Sequence, residues 1–190
     1  RACRKAEIVY VGDYHTLHQS QRSFLRILKS LINKNRGFAI GLELLHKRHQ
    51  GVLDSYLAGK ISEQNFLKKV GLRKHWVFDL WESFKPIFDF AKYHDIPLLA
   101  IDAAPKGADL QARDAATAKL LAQYLQDNAD QKLFVFIGDL HIAPPHLPKE
   151  VQAVLRAAGL PKNDLILYQN SEAIYWKLAH RGLEHETEVV

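Results

Sequence analysis

Methionine is absent from this chain and cysteine occurs once, as Cys3. A single cysteine forms no internal disulfide, so no covalent staple holds the fold and no redox compartment follows. Cys3 is also a poor candidate nucleophile, because it precedes the first strand. No apolar run approaches the roughly 20 residues of a membrane-spanning helix, and no signal peptide is visible. With Arg1 first and no methionine anywhere, the stretch reads as a processed or trimmed form. Linkers rich in Gly, Pro or Ser are missing, as are low-complexity segments. So are Gly-x-Gly-x-x-Gly, the P-loop, His-Glu-x-x-His and Gly-x-Ser-x-Gly.

What is present fits one soluble domain. The 190 residues suffice to bury a sizeable core. An apolar fraction of 47% and a charged fraction of 25% argue against disorder. The net charge of +5 invites a nucleic-acid reading. The basic residues, however, stand in small groups among acids, as in Lys47-Arg48 and Lys68-Lys69. That pattern reads as solvated surface charge, with no nucleic-acid partner expected. Attraction to anionic ligands or membranes stays open.

Along the chain, short buried runs alternate with amphipathic ones. Glu7 to Val11 reads as a strand stopping at Gly12, and Phe38 to Leu42 as a second ending at Glu43. Pro97 to Ile101 ends at Asp102, and Lys132 to Ile137 ends at Gly138. Helical spacing covers Leu17 to Asn33, with Phe24, Ile27, Leu28, Leu31 and Ile32 on one stripe. Further helices are expected near Leu53–Leu57, after the N-cap Ser62, over Ser83–Tyr93 with Pro86 in the first turn, over Asp109–Gln126 and over Pro148–Ala158. Leu165–Tyr168 and Ala173–Lys177 look like a closing hairpin. The expected fold is therefore α/β, three layers α/β/α, with a mostly parallel central sheet and a C-terminal antiparallel hairpin.

The first and fourth strands end alike, in Gly12-Asp13-Tyr14-His15 and Gly138-Asp139-Leu140-His141. With Glu43 and Asp102, four strands deliver acids or histidines to one edge. In an open parallel sheet, ligands bind beyond the carboxyl ends of the strands. A charge placed straight after a buried strand is costly unless paired, hydrogen-bonded or metal-bound. A glycine before it lets the backbone turn sharply or approach a ligand closely. Imidazole and carboxylate together can bind a divalent metal or activate water without one. Asp13 or Asp139 alone could equally be a turn or capping residue. Asp102 could cap the following segment, His18 could share a helix face with His15, and His146 could simply be exposed. Arg113, near a helix start, gains little from the helix dipole. It is either a surface arginine or one held by a tertiary partner such as Glu43, an anionic ligand or a developing oxyanion.

The ordered motifs Gly-Asp-Tyr-His, Gly41-Leu42-Glu43, Tyr56-Leu57-Ala58-Gly59-Lys60-Ile61-Ser62, Pro97-Leu98-Leu99-Ala100-Ile101-Asp102, Arg113-Asp114 and Gly-Asp-Leu-His resemble the ChaN-like haem-binding uptake family. That family sits in the wider superfamily of Tiki, TraB and erythromycin-esterase proteins. The superfamily pattern opens Gly-Glu-x-His, and Asp13 stands here in place of that Glu. Its Arg-Asp followed by Met-Ala is here Arg113-Asp114-Ala115-Ala116, without the methionine. The resemblance implies an envelope-associated protein that takes up haem, with a homodimer and peripheral membrane association through a lipid anchor outside this chain. Haem would need an axial ligand, for which Tyr14 or Tyr10 would serve, with His15 beside it. Trp76 to Phe84, with Phe88, Phe90 and Tyr93, would supply apolar walls, unless they are ordinary core or a dimer face. The alternative is a hydrolase of peptide, ester or other acyl bonds. There Asp13, His15, Glu43 and His141 would hold a divalent metal or position water. Glu43, His141 and Arg113 would carry the catalysis, one carboxylate as base and the arginine against developing negative charge. A third reading is a non-catalytic interaction domain on the same scaffold.

Overall fold

The computed structural model describes residues 2–15, 17–32, 37–72, 80–169 and 180. Five strands form one sheet: β1 (Ile8–Asp13), β2 (Phe38–His46), β3 (Leu98–Asp102), β4 (Lys132–Gly138) and β5 (Asp164–Leu167). Their order is β3-β2-β4-β1-β5, and every pair is parallel. The helices are α1 (Ala2–Lys5), α2 (His18–Lys29), α3 (Gln50–Leu57), α4 (Glu63–Val70), α5 (Trp81–Tyr93), α6 (Leu110–Asp127) and α7 (Leu147–Ala157). A short 3-10 turn, Lys47–His49, links β2 to α3.

Two-residue alternation along the strands sends side chains to opposite faces, and each face builds its own core. Val9, Val11, Ile40, Leu42, Phe134 and Phe136 pack with α2, α3, α4 and α5. Phe24 of α2 stacks on Phe136 with ring centroids 4.4 Å apart. On the other face Ile8, Tyr10, Ala39, Leu133, Val135 and Ile137 pack with α6 and α7. This double coverage explains why β1 and β2 are buried nearly end to end. It also yields the three expected layers.

Some expectations are corrected. The last strand among the described residues, β5, pairs parallel with β1, Ile8 opposite Asp164. No antiparallel hairpin occurs among the described residues, and Ala173–Lys177 lies outside them. Strand β2 does not stop at Glu43. It runs on to His46 through a register shift against β3, because Leu44 and Leu45 still have core to fill. Helix α5 starts at Trp81, so Pro86 lies inside the helix and not in its first turn. As expected, Ser62 caps α4, its hydroxyl accepting from the Asn65 N–H. Asp109 does the same for α6, accepting from the Ala112 N–H at 2.8 Å.

Candidate functional site

The carboxyl ends of β1, β2 and β4 and the first turns of α6 converge on Glu43. Its Oε2 accepts the Gly138 N–H at 2.8 Å. Its Oε1 accepts from an Arg113 guanidinium nitrogen at 2.7 Å. His141 brings Nε2 to 3.3 Å from Glu43 Oε1, and His15 brings Nε2 to 3.9 Å from Oε2. Each histidine is held from behind by an aspartate. His15 Nδ1 lies 2.6 Å from Asp13 Oδ2, and His141 Nδ1 lies 2.5 Å from Asp114 Oδ1. The Gln21 amide donates to the other Asp13 oxygen at 2.7 Å. His146 Nδ1 lies 3.0 Å from the other Asp114 oxygen. The result is two His–Asp pairs facing one glutamate.

Burial sets the electrostatics. Asp13, Glu43, Asp114 and His141 are all buried, so each charge needs a partner. Burial alone would push the Glu43 carboxyl up. The hydrogen bond and charge of His141, the Gly138 N–H and the charge of His15 outweigh it and hold the carboxyl at about 2. Burial likewise disfavours a charged imidazole at His15. The hydrogen bond to Asp13, its charge and Glu43 outweigh burial and the opposing charge of His141, so the His15 pKa is raised. His141 is also raised, against its burial, by Glu43 first and Asp114 second. Asp139 is raised by burial and by the nearby Asp13 charge.

Of the two motif glycines, Gly12 is the one that matters for space. Neither Gly12 nor Gly138 has a positive φ, so neither is there to turn the chain. A Cβ on Gly12 would stand 1.7 Å from Asp139 Oδ1, inside its carboxylate. A Cβ on Gly138 would stand 3.4 Å from Glu43 Oε2 and 3.6 Å from His15 Nε2. Gly12 thus leaves room for the Asp139 carboxylate, whereas a side chain at Gly138 would meet Glu43 and His15 at ordinary contact distance.

Of the expected residues, Asp13, His15, Glu43, Arg113 and His141 come together. Arg113 has its tertiary partner, Glu43, with Asp102 further off at 3.9 Å. The expected metal set of Asp13, His15, Glu43 and His141 is not assembled. No group of three or more His, Cys, Asp or Glu side chains among the described residues is arranged to hold a metal ion. The physical reason is visible in the donors. Both Asp13 oxygens turn to His15 Nδ1 and Gln21, while a guanidinium and an N–H occupy Glu43. These residues do not fit a resident metal.

Tyr14 stands apart from this cluster, on the rim and exposed. Tyr10 is fully buried within the α6–α7 face, so it cannot reach a ligand. The expected aromatic walls are core: Trp81, Phe84, Phe88 and Phe90 pack against the sheet, while Tyr93 is solvated. Trp76 to Asp79 lie outside the described residues. Exposed large hydrophobics instead gather where no one run of sequence announces them. Among the described residues they are Tyr14, Leu17, Leu140, Tyr168 and Tyr93, and all but Tyr93 follow the carboxyl ends of β1, β4 and β5. Gln21, Asp114 and His146 were also missed as partners. The adjacency of Asp114 to Arg113 near the start of the helix was the available signal.

The fold and site define a three-layer α/β protein with a histidine–carboxylate centre at the carboxyl edge of a parallel sheet. The chain belongs to the ChaN haem-binding uptake family of the Tiki superfamily, whose sequence model matches residues 1–110. No curated protein sequence matches it. Among solved structures it is similar to ChaN of Campylobacter jejuni, described with cofacial haem binding. The identity is 15%, covering 90% of this chain and 84% of that one, with a TM-score of 0.67. It is also similar to the type III effector HopBA1, at 15% identity over 84% of this chain and 75% of that one, TM-score 0.59. The C-terminal region of Pasteurella multocida toxin, described with a thiol-protease like triad, matches at 18% identity and TM-score 0.52. That match covers 70% of this chain but only 19% of the toxin chain. At these identities the likeness is one of fold. No helix among the described residues is long and apolar enough to cross a membrane.

Proposed function

We propose that the rim around Tyr14 binds haem for uptake, with the Tyr14 phenolate as axial ligand. The observation that carries this reading is that four exposed large hydrophobics, Tyr14 among them, follow the carboxyl ends of the neighbouring strands β4, β1 and β5. Tyr14 is 44% exposed, Leu17 43%, Leu140 74% and Tyr168 52%. Solvating that much apolar surface on one rim is unfavourable, and a flat apolar ligand covers it. The Tyr14 N–H donates to Ser20 Oγ at 3.2 Å, tying the ligand's backbone to the first turn of α2. Tyrosine is a known haem-iron ligand and supplies an anionic oxygen to ferric iron. These residues fit the group. Titration with haemin should produce a shifted Soret band in the wild type and a weaker or altered one in Tyr14→Phe. A wild type indifferent to haemin refutes the reading.

A second reading is favoured by the paired His–Asp geometry around Glu43. Glu43 is fully ionised and engaged at both oxygens, so it makes a poor base and a good counter-ion. His141 faces carboxylates from both ring nitrogens, which suits an imidazolium. His15 has Nδ1 fixed by Asp13 and Nε2 3.9 Å from Glu43 Oε2, an imidazole oriented by carboxylates as a general base requires. In hydrolysis, His15 Nε2 takes a proton from water as the water oxygen bonds to the acyl carbon. Arg113 stabilises the developing oxyanion, and His141 returns a proton to the leaving group. Ester or peptide hydrolysis should then rise with pH through the raised His15 pKa and be lost in His15→Ala. Equal turnover by wild type and His15→Ala removes this reading.

A further inference from the structure

On the Nδ1 side of His141, away from Glu43, the cluster continues into a histidine that the haem and hydrolase readings leave idle. Asp114 lies in the second turn of α6 and is buried. Its Oδ1 stands 2.5 Å from His141 Nδ1, and its Oδ2 stands 3.0 Å from His146 Nδ1. A buried carboxylate needs donors to replace the water it has lost. Arg113, its neighbour in sequence, is turned to Glu43 at 2.7 Å. Among the described residues the polar partners of the Asp114 side chain are thus two imidazoles, one to each oxygen. Each must present an Nδ1–H, because a carboxylate only accepts.

The chain between the two histidines fixes their spacing. They flank the short loop 142–145, which contains Pro144 and Pro145. The His146 N–H donates to Ala143 O at 2.9 Å, and the Leu147 N–H closes the loop on His141 O at 3.0 Å. Helix α7 starts at Leu147 and holds the far end of the loop, the Glu150 N–H donating to His146 O at 3.2 Å. One braced loop therefore grips both oxygens of Asp114. Exposure changes along this line of contacts. The side chains of Asp114 and His141 are 1% and 7% exposed, whereas that of His146 is 32% exposed. His146 can accordingly be replaced without emptying the core, while the groups it acts on are buried.

We infer that His146 is a positioning residue of the histidine–carboxylate centre. By occupying Asp114 Oδ2 it keeps Oδ1 aimed at His141 Nδ1, which leaves His141 Nε2–H directed at Glu43. Without that donor, Oδ2 is a buried acceptor with no partner, and the carboxylate turns or admits water to satisfy it. Turning moves both oxygens together, so His141 loses its anchor. A carboxylate behind an imidazole fixes its tautomer and ring position. Loss of such an orienting group is felt in the chemical step more than in substrate binding. That catalytic consequence rests on the hydrolase reading, whereas the hydrogen-bond claim does not.

Two substitutions at His146 test this. His146→Asn sets an amide N–H near the place of Nδ1 and keeps the bond, whereas His146→Leu fills the space and removes the donor. Proton NMR of the wild type should show a strongly downfield Nδ1 proton from the charge-assisted His141–Asp114 bond. His141→Gln assigns that resonance by removing it. It should persist in His146→Asn and move upfield or vanish in His146→Leu. With p-nitrophenyl acetate as substrate, kcat should fall about tenfold in His146→Leu and recover in His146→Asn, with KM changed less than about twofold. A wild type that does not cleave this ester counts against the hydrolase reading and leaves the resonance to decide the inference. Absence of the downfield proton in the wild type overturns it. So do an unchanged resonance in His146→Leu and an equal loss in His146→Asn and His146→Leu.

Discussion

Glu43→Gln is the sharpest perturbation of the histidine–carboxylate centre, because it keeps the shape and removes the charge. Lowering the carboxyl from 4.5 to about 2 means that the fold favours the ionised form by about 3 kcal/mol. An amide cannot accept at both ends. Either the Arg113 guanidinium, 2.7 Å from Oε1, or the Gly138 N–H, 2.8 Å from Oε2, would face an NH2 group. An unpaired buried donor costs about 1–3 kcal/mol. Some of the loss returns, since Arg113 has a side chain 36% exposed and can turn to water. Proton loss from the two histidines relieves more. A net loss of about 3 kcal/mol is expected, which for a domain of this size lowers Tm by about 6–12 °C. Circular dichroism melting near pH 6 measures it. The gap should close as pH falls toward about 2, where the wild-type carboxyl itself takes a proton. Histidine NMR titration should show both the His15 and His141 pKa values falling in the variant. A Tm loss below about 2 °C, with both histidines unmoved, would refute the idea that Glu43 binds this cluster together.

Other expectations follow from the same geometry. Asp114→Asn should lower the His141 pKa while leaving His15 near its wild-type value, because among the described residues the Asp114 carboxylate pairs with His141 and His146 and not with His15; parallel shifts in both would contradict separate pairs. Gly12→Ala should destabilise by about 1–3 kcal/mol, as overpacking does, since its Cβ would enter the Asp139 carboxylate. Urea midpoints of Gly12→Ala and Gly12→Ala/Asp139→Ala check this, the second change restoring part of the loss. The pH profile of stability has a worked sign. Glu43 is lowered, so its contribution is present above its ordinary 4.5 and is lost as pH falls toward about 2. His15 and His141 are raised, so theirs is full below 6.5 and is lost as pH rises through their folded values. The cluster's contribution should therefore peak between pH 4.5 and 6.5, as denaturant midpoints across pH will show.

The layers were legible because β-branched and aromatic runs such as Ile8–Val11 and Leu133–Ile137 declare buried strands, and parallel order follows from the helices between them. The convergence of His15, Glu43 and His141 was legible for a related reason, since parallel strands end at one edge. Register and helix starts were less so. β2 continues past Glu43 because Leu44 and Leu45 find core beneath α3 to α5, which composition alone does not reveal. The hairpin is not supported: β5 pairs parallel with β1, and its expected partner Ala173–Lys177 lies outside the described residues. Metal ligation was a fair expectation from residue types, yet the donors are spoken for. Gln21 and Asp114 lie on helices whose facing side is fixed only by packing. The apolar rim was hidden for the opposite reason: Tyr14, Leu17, Leu140 and Tyr168 are each unremarkable alone.

The most direct test of the functional account is resonance Raman spectroscopy of the ferric haem complex. Excitation into its visible band should enhance phenolate modes in the wild type and lose them in Tyr14→Phe, while His15→Ala retains them. Phenolate modes that persist in Tyr14→Phe, or that never appear in the wild type, would contradict the assignment of Tyr14 as the iron ligand.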